Sequence, residues 1–77
     1  MSLYQLKSFL AVAKHRSFSR ASEELYLTQP CISKQIKALE DFLEVKLFHR
    51  LGRSIQLTEA GEVLLLYAQR ALHSLAV

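Results

Sequence analysis

Gln29, Ser33, Lys34 and Lys37 recur at intervals that put them on one side of a helix. Their amide, hydroxyl and ammonium groups suit base edges and phosphate oxygens. They lie in the segment Thr28-Gln29-Pro30-Cys31-Ile32-Ser33-Lys34-Gln35-Ile36-Lys37-Ala38-Leu39-Glu40. Thr28 suits the N-cap, because its hydroxyl can accept a hydrogen bond from a free N–H of the first turn. Pro30 falls within that turn, where its missing N–H costs nothing. Ile32, Ile36, Leu39 and Leu43 make a narrow apolar stripe at helical spacing. At roughly 100° per residue, Pro30, Lys34 and Lys37 point away from that stripe, and Gln29 and Ser33 flank them. Taken alone, the same pattern also describes an ordinary solvated helix, so the flanking segments decide its meaning.

Other chemistry is missing from the sequence. His15, His49 and His73 stand too far apart for a helical metal pair, and a single cysteine supplies no zinc cluster. Neither a glycine-rich phosphate loop nor a nucleophile elbow is present. Glu23, Glu24, Glu40, Asp41 and Glu44 scatter over positions read as surface. No enzyme, metal or cofactor is expected. Cys31, at the exposed start of the polar helix, reads as a small space-filling residue. The alternative is a redox role, since helix N-termini can lower a thiol pKa.

A chain of 77 residues holds one small domain with a modest core, and domains of this size often gain stability by associating. A hydrophobic content of 51% excludes disorder, and no apolar run is long enough to cross a membrane. Met1-Ser2-Leu3-Tyr4-Gln5 lacks the basic start and apolar stretch of a signal peptide. A cytoplasmic location is therefore expected, and one cysteine fits a reducing compartment. The formal net charge of +3 is compatible with a nucleic-acid partner without requiring one.

The elements that must position the polar helix are legible. Leu3, Leu6, Phe9, Leu10 and Ala13 define a first helix ending near His15-Arg16. Ser17 can cap a shorter second helix in which Phe18, Ala21 and Leu25 face inward. Tyr26-Leu27 is a brief turn, without the glycine often found there. Two helices joined by a short turn, the second polar on its outer face, make a helix-turn-helix. From Val45 to Thr58 the period shortens to apolar–polar alternation around Leu51-Gly52-Arg53-Ser54, which predicts a β-hairpin packed on the helices. Arg50 and Arg53 bracket its tip, as on a wing that enters a narrow, strongly negative minor groove; the alternative is a solvated basic turn.

Thr58 opens a last helix running to Val77, with Glu59 favourable to its dipole and Gly61 costing about 1 kcal/mol against alanine. Ala60, Leu64, Tyr67, Ala68, Ala71 and Leu75 form its expected inner stripe. Val63, Leu65, Leu66 and Leu72 add apolar surface beyond it, which calls for a second partner. The apolar pattern continues to Leu75-Ala76-Val77, as expected of a linker helix that leads into a further domain. The division expected is 1–58 for the winged helix-turn-helix and 59–77 for a linker and dimerisation helix.

These segments together resemble the N-terminal DNA-binding domain of LysR-type transcriptional regulators. The similarity runs through Leu3-Tyr4-Gln5-Leu6-Lys7-Ser8-Phe9, Ser17 to Leu25, Leu27-Thr28-Gln29-Pro30, Ile32 to Ile36 and Leu39-Glu40. It continues through Leu47-Phe48-His49-Arg50, Arg53 and Leu57-Thr58-Glu59-Ala60-Gly61. Cys31 departs from the alanine, serine or proline usual there, and Lys34 from the common arginine, which weakens the case for bidentate guanine recognition.

The resemblance implies a mainly α fold: a winged helix-turn-helix with a three-helix core, a short hairpin wing and a long C-terminal helix. It implies that Gln29, Pro30, Ser33 and Lys34 approach bases in the major groove and that Arg53 reaches the minor groove. Ser17, Thr28, Lys37 and Arg50 are the implied phosphate contacts. The implied partners are double-stranded promoter DNA with an interrupted palindrome and a second copy through the C-terminal helix. In the full-length protein it implies tetramers and an effector bound only by a C-terminal domain absent from this chain. The rival reading is a winged-helix protein–protein interaction module.

Overall fold

The computed structural model describes residues 1–52 and 54–76, and the side chains of all of these but 74–76. Expectations placed on Arg53, on Val77 and on the side chain of Leu75 therefore lie outside the described residues. The order is α1 (Leu3–His15), α2 (Phe18–Leu25), α3 (Gln29–Leu43), β1 (Phe48–Leu51), β2 (Ser54–Leu57) and α4 (Glu59–Ala76). This is the mainly α winged helix-turn-helix expected.

Each of the first three helices begins on a hydroxyl. Ser2 and Gln5 form a capping box on α1, each side chain accepting from the other's backbone N–H. Ser17 Oγ accepts the Arg20 N–H at 3.1 Å, and Thr28 Oγ1 accepts the Cys31 N–H at 3.3 Å. The same helices end without glycine. Arg16, Tyr26 and Glu44 take left-handed backbone conformations, with φ of 52°, 56° and 59°. An L-residue there costs roughly 1–2 kcal/mol, which is why glycine usually marks such ends in a sequence. The αL turn at Tyr26 supplies the sharp corner between α2 and α3 that the missing glycine left unmarked.

The core forms where the three helices cross. Phe9 and Val12 of α1, Ala21 of α2 and Ile32 and Leu39 of α3 are fully buried, and Ile36 is 3% exposed. Burying each large aliphatic or aromatic side chain contributes about 1.5–3 kcal/mol. Ala21 brings α2 close to its neighbours because it has only a methyl group to place between backbones. Among the described residues, Ser8 is the one polar side chain buried with them, and its hydroxyl donates to Gln35 Oε1 on α3 at 2.5 Å.

The hairpin pairs Phe48 with Leu57, His49 with Gln56, Arg50 with Ile55 and Leu51 with Ser54. Gly52 has φ +62°, the positive value that a two-residue hairpin connection requires. Phe48, Arg50, Ile55 and Leu57 share one face, which turns toward the helices. Phe48 seats the hairpin there, with its ring centroid 5.4 Å from that of Phe9 and 6.2 Å, edge-on, from that of Phe18.

Glu40, expected at the surface, is instead half-buried and structural. Its Oε2 accepts the Leu47 N–H at 2.8 Å, tying the loop after α3 back to the helix. The Thr58 hydroxyl caps α4 through the Gly61 N–H at 3.0 Å and donates to the Lys46 carbonyl.

The inner stripe of α4 is rotated from the one expected. Gly61 and Ala68 are buried and Leu64, Leu65 and Leu72 half-buried, whereas Tyr67 and Ala71 are exposed. Buried Leu47 pulls Gly61 inward, and that contact sets the rotation of the helix. No helix among the described residues is long and apolar enough to cross a membrane.

Candidate nucleic-acid interface

The outward side of α3 is polar from its first turn. Ile32, Ile36 and Leu39 hold the helix down, and Gln29, Pro30, Ser33, Lys34 and Lys37 are all exposed opposite them. All five polar-face residues anticipated from spacing thus share one accessible surface. Cys31, expected to be exposed, is half-buried instead, and its sulfur accepts from Gln35 Nε2 at 3.7 Å. It fills space between the polar face and the core.

Ser17 and Thr28 open α2 and α3 as N-caps. A hydroxyl whose oxygen accepts a capping bond still has its own proton to donate. Both therefore offer an O–H beside helix N-termini, whose partial positive charge favours phosphate. Gln29, the first residue of α3, is met from α2 by Ser19, whose hydroxyl donates to Gln29 Oε1 at 3.4 Å. Ser19 was missed by sequence reasoning, since only the corner at Tyr26 brings residues ten apart into contact.

A groove of about 220 Å³ runs between α3 and the hairpin. Apolar Phe18, Ile36, Phe48 and Ile55 line it together with Ser33, Lys37, Lys46, His49, Arg50 and one carboxylate, Glu40. Arg50 carries its guanidinium 5.9 Å from the Phe18 ring centroid, a cation–π contact that steers an otherwise loose side chain. Lys37 is also 3.6 Å from Asp41 along the exposed helix, a pairing too solvated to hold it firmly. Lys46 lies 4.0 Å from Glu40 Oε1. It was missed in the sequence because a lysine in a loop carries no periodic signal. The groove thus gathers three side-chain cations from α3, the following loop and β1. Arg53, proposed for the tip, lies outside the described residues.

A charged cluster between α1 and α2 is structural. Glu24 of α2 accepts from Lys14 Nζ at 3.0 Å and lies 2.8 Å from His15 Nε2. The hydrogen bond with His15, then that with Lys14, holds the Glu24 carboxyl below its ordinary pKa of 4.5. Among the described residues, no three His, Cys, Asp or Glu side chains gather where a metal could be held.

The four apolar positions assigned to association divide in two. Val63 and Leu66 are 51% and 50% exposed. Leu65 and Leu72 are half-buried, with Leu65 packed on the domain's own core. Beside Val63 an apolar trough of about 560 Å³ opens between α4 and the end of α3, lined by Leu43, Val45, Ala60, Leu64 and Tyr67.

Comparison with known proteins agrees with this geometry. The sequence pattern of the family described as "Bacterial regulatory helix-turn-helix protein, lysR family" matches residues 3–62. An uncharacterized HTH-type transcriptional regulator of Azotobacter vinelandii, from the ibpB-leuC intergenic region, is 57% identical over 72 residues, 94% of this chain and 50% of that protein. The glycine cleavage system transcriptional activator of Escherichia coli K12 is 57% identical over 60 residues, 78% of this chain and 20% of the activator. The crystal structure of a CbnR_DBD–DNA complex superposes with a TM-score of 0.91 at 41% identity, covering 99% of this chain and 87% of that one. The chain spans half or less of the length of these two relatives. Three helices, a hairpin wing and a fourth helix, matched in sequence from Leu3 to Glu62, place this chain in the lysR family of bacterial regulatory helix-turn-helix proteins, transcription regulators rather than enzymes, as its DNA-binding domain.

Proposed function

We propose that α3 reads operator DNA in the major groove while the hairpin wing follows the adjacent minor groove. The observation that carries this reading is the continuity of the exposed face of α3 with the cationic groove beside it. Gln29, Pro30, Ser33 and Lys34 face base edges, and Arg53 enters the minor groove. Ser17, Thr28, Lys37 and Arg50 take phosphates, with Lys46 added to them by its place on the groove. Phosphate contacts set the register, and base edges supply the sequence preference. The similar CbnR_DBD was crystallised as a DNA complex, which supports DNA as the partner of this domain.

A second copy pairs through α4, using exposed Val63, Leu66 and Tyr67 and the trough beside them. Two copies related by a two-fold axis require an operator with two-fold symmetry, hence an interrupted palindrome. In the full-length protein, effector binding and any tetramer belong to a C-terminal domain, and the location is cytoplasmic.

Selection of bound sites from random duplexes, followed by titration at several salt concentrations, tests the reading. The expected result is a palindromic consensus and a log–log salt slope corresponding to several phosphates. A flat salt dependence with no consensus would instead assign the polar face of α3 to a protein partner.

A further inference from the structure

We propose that Ser19 is a positioning residue that turns the donor end of Gln29 toward the DNA, so that Gln29 selects guanine or thymine rather than adenine. The inference deepens the base-reading role of Gln29 and rests on it. The Ser19 hydroxyl, on the first turn of α2, reaches across the helix-turn-helix corner and donates to Gln29 Oε1 at 3.4 Å. It is free to do so because Ser17, not Ser19, caps α2 through the Arg20 N–H. The backbone at Ser19 is held in turn, its carbonyl accepting the Ser22 hydroxyl at 2.7 Å. Both side chains are exposed, so the pair stands at the surface offered to the duplex.

The consequence follows from the two ends of a primary amide. Bidentate reading of adenine needs both ends on the base, Oε1 accepting from N6–H and Nε2 donating to N7. The Ser19 hydroxyl draws Oε1 back toward α2. With Oε1 engaged, the end of the amide left without a partner from Ser19 is Nε2, with its two N–H donors. The two donors are matched by guanine O6 and N7 and one of them by thymine O4, whereas adenine offers them N7 alone and sets its own N6–H donor where guanine has O6. Ser19 thus acts on specificity without touching the base.

Binding of the 77-residue chain to duplexes varied one base pair at a time tests this. Gln29→Ala first locates the base pair whose preference it abolishes. At that pair the wild type is expected to favour guanine or thymine over adenine by about five- to tenfold. Ser19→Ala, which frees the amide to rotate, should raise relative binding to adenine there by several-fold and leave other positions unchanged. Ser19→Thr, which keeps the hydroxyl, should restore the wild-type order. Three results would overturn the proposal: adenine preferred by the wild type, no change of base order in Ser19→Ala, or a loss in Ser19→Ala that is uniform over all duplexes. The last would make Ser19 a phosphate contact. If Gln29→Ala itself abolishes no base preference, the reading of Gln29 as a base contact fails, and this inference with it.

Discussion

Gly61 of α4 lies directly over the backbone carbonyl of Leu47, so closely that a Cβ on Gly61 would overlap the Leu47 oxygen and come within 2.9 Å of Leu57 Cδ2. Leu47 is held on every side. Its side chain is fully buried, its N–H goes to Glu40, and its carbonyl accepts the Thr58 N–H at 3.0 Å. The loop before the wing and the start of the last helix are thereby locked to each other, and the hairpin between them inherits its orientation.

Gly61→Ala should therefore destabilise the domain even though alanine favours helices. The intrinsic gain of about 1 kcal/mol is outweighed by overpacking against a backbone atom that cannot rotate away, leaving a net loss of about 1–3 kcal/mol. Urea unfolding reads this as a lowered midpoint at constant slope. A midpoint equal to or above that of the wild type would mean that α4 shifts freely on the core.

Glu40 is expected to matter as a hydrogen-bond acceptor more than as a charge. Glu40→Ala leaves the Leu47 N–H without a partner and should cost about 1–3 kcal/mol. Glu40→Gln keeps a side-chain oxygen in reach and should cost clearly less. Equal losses in the two variants would show that the carboxylate's charge, not its acceptor oxygen, holds the loop.

The Glu24 carboxyl titrates below its ordinary value because His15 and Lys14 hydrogen-bond its charged form. A carboxylate with a lowered folded pKa contributes stability that is present above the unfolded value of 4.5 and lost as pH falls through the folded one. Wild type and Glu24→Gln should therefore differ in thermal midpoint at neutral pH and converge below that window. A difference that persists unchanged at low pH would rule out linkage through this group. The effect should be small, because Lys14 and Glu24 are solvated.

The rotated stripe of α4 separates the residues that hold the fold from those of the proposed association. Val63→Ser with Leu66→Ser should weaken self-association and leave the melting of the isolated domain nearly unchanged, since both side chains are half exposed. Leu65→Ser should lower stability, because Leu65 packs on the core. Sedimentation at micromolar concentration alongside thermal unfolding distinguishes them. Undiminished association in the double variant would remove α4 from the dimer.

Much of this molecule is written locally. Ser17 and Thr28 mark helix starts because capping needs only a hydroxyl beside the free N–H groups of the next turn. Ile32, Ile36 and Leu39 mark the buried side of α3, and with it the polar side, because helical period alone sorts residues onto faces. Gly52 with its flanking alternation marks the hairpin. Gln29, Pro30, Ser33, Lys34 and Lys37 were legible as one surface for the same reason.

Other features depended on residues distant in the chain. The rotation of α4 is not legible in the sequence, because a helix with apolar residues around much of its circumference has no single face until something packs on it. Here that is Leu47, over which only a glycine fits. Glu40 reads as one more surface carboxylate until the chain returns Leu47 N–H to it seven residues later. Lys46 and Arg50 become one cationic groove with Lys37 only when Phe48 seats the wing against Phe9 and Phe18. Ser19 meets Gln29 only because Tyr26 turns the chain through a left-handed conformation that its side chain does not advertise. Periodicity and capping act within a turn or two of helix, so the sequence by itself determined the elements and their polar faces. The meeting of side chains from different elements is set by packing over the whole domain, and that only the tertiary structure decided.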